Sequence, residues 1–386
     1  MKTVITMFVF FLMSICYTFA QDSTHLNYII PDLQVNENSG VMDSKQSYPS
    51  IARDSSGNFV IAWYDERDQS RGIYAQRYRY DGEPLGSNFK VNDININNNY
   101  SIPKICVDKK GDFVITWNNG ALVFVQRYSN NGANIGNNLI VNEYKKAKVG
   151  SPSVSMDEKG NFIIVWEGGK EGEIGADIFA QLFTNDGNAL GNNFNVSPGY
   201  YPSVSSDHKG NFVITWAENK DIFAQRYTSE GVLSGGKIKV NDNSTSSGKP
   251  SVATEYNGNF TIVWGNNAQR FSKDGTKIGN NFKVFNIIDQ YFSSVYSFIS
   301  TNENGDYVIV WNDVDSEKPW FYSVRSIYAC RYSSNGIALG DPFKVTTYWG
   351  PLYDYIYDFN NSISVNNDGS FIVTWYDGDE TDGGDI

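Results

Sequence analysis

Histidine, cysteine and basic side chains are all in short supply in this 386-residue chain, and each shortage closes off a class of chemistry. There are two histidines, His25 near the start and His208. His208 falls in a turn position that other copies of a repeat fill with Ser, Lys or Glu, which leaves little room for histidine-based acid–base work. Of three cysteines, Cys16 lies in the first twenty residues and only Cys106 and Cys330 follow. They form no metal cluster and no redox motif. A disulfide between them is conceivable outside the cell, but they sit in strands of different rank, and two buried free thiols are the preferred reading. Lys and Arg number 31 against 43 Asp and Glu, a net charge of −12. That balance argues against nucleic acid and against anionic membrane surfaces as partners. Beyond residue 20 no apolar run approaches eighteen residues, so no spanning helix is expected.

The first twenty residues read as an export signal. Lys2 supplies a basic start, Val4 to Cys16 is mostly apolar, and Thr18-Phe19-Ala20 before Gln21 fits a small-residue cleavage site. A secreted, extracellular or cell-surface location is the corresponding expectation.

What the chain has in abundance is a repeat. Seven short apolar runs end in tryptophan, at Trp63, Trp117, Trp166, Trp216, Trp264, Trp311 and Trp375, at intervals of 54, 49, 50, 48, 47 and 64 residues. Self-similarity near 50 residues marks units that must bury their apolar faces against one another. Repeat 1 predicts four strands: a over Ser47 to Arg53, b over Asn58 to Trp63, c over Ile73 to Tyr78 and d over Phe89 to Asn92. Between a and b, Asp54-Ser55-Ser56-Gly57 makes a tight turn with glycine at the left-handed position, and later copies read DKKG, DEKG, DHKG, EYNG, NENG and NNDG. A second glycine turn, as in Asp81-Gly82, joins c to d.

Strand b is apolar at consecutive positions, a pattern that requires burial on both faces. Four-stranded antiparallel units stacked face to face in a ring satisfy it. The expected fold is therefore an all-β, seven-bladed β-propeller over residues 32–386, preceded by the signal peptide at 1–20 and a lead at 21–31. A string of separate small domains is the alternative, but units of 50 residues without disulfides rarely fold alone. Leu33-Gln34-Val35-Asn36 resembles strand d and is the expected outer strand of the last blade. Asp385-Ile386 aligns with Asp177-Ile178, where a strand c begins, so the last blade is expected to be incomplete and the sequence truncated.

What recurs in every copy is scaffold, and a site on a ring is built from what does not recur. The Gln-Arg-Tyr of strand c, as in Gln76-Arg77-Tyr78, reads as structural, its arginines bonding carbonyls or turn acids between blades. A ring of arginines gripping an anion is the sharper reading, and Leu182 in repeat 3 counts against it. Length variation is confined to the b–c loops and the d–a crossovers, which project from one face. On that face Trp320, Tyr322, Trp349, Tyr353, Asp354, Tyr355 and Tyr357 form the richest stretch. Aromatics with interspersed acids suit stacking on sugars or gripping a peptide, and packing of a long insertion is the bland reading. Asp313 with Asp315, and Asp377 with Asp379, could supply calcium oxygens, although neither continues into a full binding loop and solvated acidic loops are preferred. No other cofactor is expected. Asn-x-Ser/Thr patterns occur at Asn99, Asn243, Asn259 and Asn360.

Taken together, "G-N-F-V-I-x-W … I-F-A-Q-R-Y … D-G-x-x-L-G-x-x-F-x-V-N" resembles the repeat of secreted bacterial surface propellers, many of them similar to cargo of the type IX secretion route. The resemblance covers roughly residues 32–386 and implies adhesion or binding at the cell surface. Sialidases share Asp-Gly turns before aromatic strands, but their S-x-D-x-G-x-T-W box and F-R-I-P motif are missing. The expectation is thus a monomeric binding or adhesion module for an extracellular glycan or protein, not an enzyme. The runner-up is a polysaccharide-active hydrolase, lyase or sialidase-like enzyme on the same ring.

Overall fold

The computed structural model describes residues 14–20, 33–35, 46–67, 71–94, 96, 101–143, 149–150, 152–169, 177–243, 248–285, 296–314, 322–351 and 361–377. Blade 1 shows how one repeat folds. Strand a, Gln46–Arg53, pairs with strand b, Phe59–Asp65, which pairs with strand c, Gly72–Tyr78, and the short Phe89–Lys90 is the outer strand d. All pairings are antiparallel. Strand b runs two residues past Trp63, further than the apolar run alone implied. The a–b turn closes as the sequence demands: Asp54 Oδ1 accepts the N–H groups of Ser56 and Asn58, and Gly57 adopts a φ of 86°.

Repeats 2 to 6 build equivalent sheets over residues 104–140, 153–198, 200–239, 251–283 and 297–351. Six blades are therefore each made from one continuous stretch of chain. This corrects the expected seven-bladed ring to six such blades. The seventh sheet is a composite, in which only Ser362–Val365 and Phe371–Asp377 come from repeat 7. Leu33–Gln34 is its outermost strand, as the likeness to strand d suggested, and Ser14–Ala20 lies between. Tyr17 pairs with Thr374 and Leu33, the register that Ala75 of blade 1 holds with Ala62 and Phe89. The apolar segment at the head of the chain thus stands where a strand c belongs.

Strand b explains why the sheets stack. Alternate residues point to opposite faces. Phe162, Ile164 and Trp166 of blade 3 pack with Val114, Val123 and Val125 of blade 2, while Ile163 and Val165 pack with Phe212, Ile214 and Trp216 of blade 4. The same arrangement recurs at every junction, and Trp63 packs with Ile372 and Val35, which brings the last sheet against the first. All seven repeat tryptophans are at most 3% exposed. Burying each large aromatic contributes about 2–3 kcal/mol. Hydrogen bonds from Ile51 N–H to Ser362 and from the Tyr78 hydroxyl to Val35 O add to this closure; Cys106 is half-buried, Cys330 is buried, and both are free thiols.

Strand c adds polar fasteners. Gln126 Nε2 donates to the carbonyls of Arg127 and Gly136, and its Oε1 accepts from Asn138, whose amide also reaches Val91 O in the preceding blade. Asn193 and Asn281 repeat this bridge. The arginines behave as the structural reading expected: Arg77, Arg127, Arg226 and Arg270 each donate to a carbonyl in the c–d turn of the next blade, at 2.5–2.6 Å.

Candidate binding well on the loop face

The seven innermost strands line the axis of the ring. Their serines are fixed by a simple device: the hydroxyl of one strand accepts a backbone N–H from the next. Ser50 accepts from Ile105, Ser153 from Val204, Ser203 from Val252 and Ser362 from Ile51, at 3.2–3.3 Å. Lys104 and Phe298 stand in the positions that serine fills in the other strands of this belt. A cavity of about 390 Å³ opens above the belt toward the b–c loops and crossovers.

At the opposite end the axis is closed. Lys109, at the tip of the a–b turn of blade 2, contacts Glu158 of blade 3 at 2.5 Å and Glu303 of blade 6 at 3.0 Å. Blades 2 and 6 are not neighbours, so this ion pair crosses the axis. Hydrogen bonding to Glu158 is the main reason that the Lys109 ammonium is pushed up to about 12. His208 stacks on Tyr256 with ring centroids 3.9 Å apart, and Lys109 lies 5.1 Å above the same tyrosine. The two lone histidine candidates of the sequence thus include one spent on a floor of turn tips. The axis is a well with its mouth on the face of variable loops.

The mouth carries chemistry that the repeat does not. Tyr200 and Tyr201 are each 45% exposed, where strand a of blade 4 bulges between Tyr200 and Ser203. Tyr201 has a φ of 57°, a left-handed conformation that bulky residues avoid. Two contacts hold it there. Its N–H donates to Glu167 Oε1 at 2.5 Å, and Lys249 sits 5.1 Å over its ring and 4.7 Å over that of Tyr296. Tyr48 of blade 1 repeats the left-handed geometry with a φ of 58°, but it packs into the junction with blade 2. Strain of this kind costs of order 1–3 kcal/mol and collects where surroundings hold a side chain for a purpose. Aromatic faces, a cation and a carboxylate around a polar-walled well can take a sugar or a polar peptide segment.

The sequence had pointed elsewhere on the same face. Trp320, Tyr353, Asp354, Tyr355 and Tyr357 lie outside the described residues. Tyr322 and Trp349 belong to strands, Tyr322–Tyr332 and Phe343–Pro351, in which Tyr322 pairs with Pro351 and Val324 with Trp349. Residues read as loop there are an extension of the outer hairpin of blade 6. Sequence reasoning passed over Tyr201 and Lys249, for which the signal was the residue before Pro-Ser: tyrosine in blades 1 and 4 and lysine in blade 5.

The loop acids also divide. Asp65 accepts the indole N–H of Trp63 at 2.9 Å and is held by Arg67. Glu218 takes the indole N–H of Trp216 at 3.1 Å. Burial alone would raise Glu218, but hydrogen bonds from Lys237 and Trp216 outweigh it and hold the carboxyl below the usual range. A buried indole needs an acceptor, and the spacing Trp-x-Asp/Glu supplies one. Asp313 and Asp377 stand at that same spacing from Trp311 and Trp375. Their partners Asp315 and Asp379 lie outside the described residues. Among the described residues no cluster of three or more His, Cys, Asp or Glu is placed to hold a metal, and no helix is long and apolar enough to cross a membrane.

No protein-family model matches the chain, and no curated protein does. Solved structures do resemble it. A mutant of an α-L-arabinofuranosidase from Fusarium graminearum, in complex with an iminosugar inhibitor, is 12% identical, covers 84% of this chain and 98% of its own, and has a TM-score of 0.52. A protein from Lactobacillus plantarum is 10% identical over 88% of this chain and 99% of its own, with a TM-score of 0.50. A fucose-specific lectin from Aleuria aurantia is 10% identical over 77% and 94%, with a TM-score of 0.46. The chain has the fold of a β-propeller. At such identities the likeness speaks to fold alone.

Proposed function

We propose that this protein is a secreted or cell-surface binding module that captures an extracellular glycan or protein segment at the mouth of its axial well. The observation that carries this reading is Tyr201. It is exposed and held in a left-handed conformation by Glu167, with Lys249 over its ring, on the face where loops vary. Unlike Tyr48, Tyr201 is not among the residues of the junction cores. The export-signal reading of residues 1–20 and the resemblance to secreted surface propellers support the location.

A hydrolase would use two carboxylates about the scissile bond. Among the described residues that line the well, Glu167 is the one carboxylate, and its Oε1 is engaged by Tyr201, so binding without turnover is the better-supported outcome. Glycan-array binding of the intact protein tests this. Selective binding that falls at least about tenfold in Tyr201→Ala, equivalent to about 1.4 kcal/mol, supports the module. Binding that is indifferent to both Tyr201→Ala and Lys249→Ala moves the site to the insertion of blades 6 and 7, where Trp320→Ala/Trp349→Ala is the corresponding variant. Turnover of a bound polysaccharide refutes the non-enzymatic reading.

A further inference from the structure

On the plain face of the ring, opposite the well, the junction of blades 3 and 4 departs from an arrangement that four other junctions share. Wherever blades 1, 2, 4 and 5 meet the next blade, an arginine of strand c lies under the glycine of the neighbouring c–d turn and donates to a carbonyl there. The stem or head of Arg77, Arg127, Arg226 or Arg270 comes within 2.6–2.9 Å of where a Cβ on Gly132, Gly187, Gly275 or Gly336 would sit. The acceptors are Asn131 O, Asn185 O, Lys273 O and Asn335 O. Blade 3 has Leu182 instead. Its Cδ1 reaches the same place beneath Gly231, at 2.7 Å, so it replaces the arginine stem. It carries no head.

The consequence is visible in the grooves. Between blades 4 and 5, where Arg226 is present, the groove holds about 280 Å³. The corresponding groove between blades 3 and 4 holds about 460 Å³ and runs from Leu182 to Ser229 and Glu230. Those two residues occupy the turn positions whose carbonyls accept arginine elsewhere. Among the described residues, no backbone or side-chain donor is bonded to either carbonyl. Glu230 also stands where Asp186 and Asp274 stand in blades 3 and 5, and those acids act electrostatically on Arg127 and Arg226. Lys159 and Lys209 line the same groove opposite Asp157 and Glu230. The net charge there balances, so selection must come from the planar fork of a guanidinium matched to carbonyl oxygens, which an ammonium cannot reproduce.

We propose that the groove between blades 3 and 4 is a second binding site, which takes an arginine side chain of a partner polypeptide in the place that an internal arginine fills where blades 1, 2, 4 and 5 meet the next blade. The chain would in effect be completed in trans at one junction, on the face away from the well.

The test uses the full chain and two probes, N-acetyl-arginine amide and N-acetyl-lysine amide, followed through the backbone amide resonances of Glu230, Gly231 and Val232. Saturable shifts with the arginine probe, at least about tenfold weaker for lysine, are expected. Leu182→Arg should abolish them by supplying the head from within, and Leu182→Met, which is uncharged and of similar size, should retain them. Equal response to both probes, no saturable response at these amides, or an arginine response that survives in folded Leu182→Arg would overturn the proposal. Should Leu182→Arg fail to fold, the comparison of the two probes on the unaltered protein still decides.

Discussion

Arg226→Leu would copy into the junction of blades 4 and 5 the arrangement that blade 3 carries naturally. The arginine donates one hydrogen bond to Lys273 O at 2.6 Å, while its buried Nε has no partner. A hydrogen bond from a charged donor contributes about 1.5–3 kcal/mol, and an orphaned buried donor gives back about 1 kcal/mol or more. Leucine keeps the packing of the stem beneath Gly275. The net loss should be about 1 kcal/mol. At roughly 2.1 cal/mol/K of unfolding entropy per residue, a ring of this size should melt only about 1–2 °C lower. The acceptor is a carbonyl, so added salt should leave the difference in place. The nearby Asp274 is held low, to about 2, chiefly by hydrogen bonds from Ser272 and Thr276 within its own turn. Differential scanning calorimetry of both proteins at low and high salt measures this. A difference that vanishes in salt would mean an ion pair with Asp274, and a loss of several kcal/mol would mean that the arginine organises the turn itself. Either result refutes the reading of strand c as a set of carbonyl staples.

Four further outcomes are expected. Trp166→Ala, which empties the junction of blades 2 and 3, should cost about 3–5 kcal/mol in denaturant unfolding. Gly199→Ala should be destabilising by about 1–3 kcal/mol and should weaken ligand binding, because the new Cβ would stand 2.3 Å from Trp216 Cδ1 at the base of the Tyr200–Tyr201 bulge; calorimetry and the glycan array read the two effects. Burial pushes the Glu255 carboxyl above its ordinary value of 4.5, against hydrogen bonds from Asn257 and Asn259. The folded state then holds that proton more tightly than the unfolded one, so this group's contribution falls as pH rises from 4.5 through the raised value. Glu255→Gln should flatten the urea midpoint over that window, incompletely, since burial raises Asp108 in the same direction. Lastly, protein exported by its host should begin at Gln21 and melt no lower than the full chain. Tyr17 stands in register where the other sheets place Ala or Val at 0% exposure. A melting point several degrees lower for residues 21–386 would mean that the ring depends on the Ser14–Ala20 strand for its stability.

Much of the fold was legible because burial on two faces leaves a plain mark on a strand. Phe-Val-Ile-Ala-Trp has no polar side to present to water, and that alone demanded neighbours on both sides. The turns announced themselves through Asp54 and Gly57, and the arginines through their recurrence. The composite seventh sheet was half legible: Leu33-Gln34 matched the repeat, whereas Ser14–Ala20 carries no strand-c motif. The well was the hardest to see. Its wall is serine, a residue with no distinctive pattern, and its function as a belt depends on hydroxyls meeting N–H groups about fifty residues away. Tyr201 and Lys249 are brought together by a crossover and a bulge, neither of which leaves a periodic trace. Acids close to the repeat tryptophans are structural in the same way: Asp65 and Glu218 each answer an indole two residues earlier.

The binding claim is tested most directly by hydrogen–deuterium exchange with and without a ligand selected on the array. Slower uptake in peptides spanning residues 200–203 and 249–252, with the a–b and c–d turns unchanged, is expected. Protection confined to those turns, or spread evenly over the ring, would place the ligand somewhere other than the well.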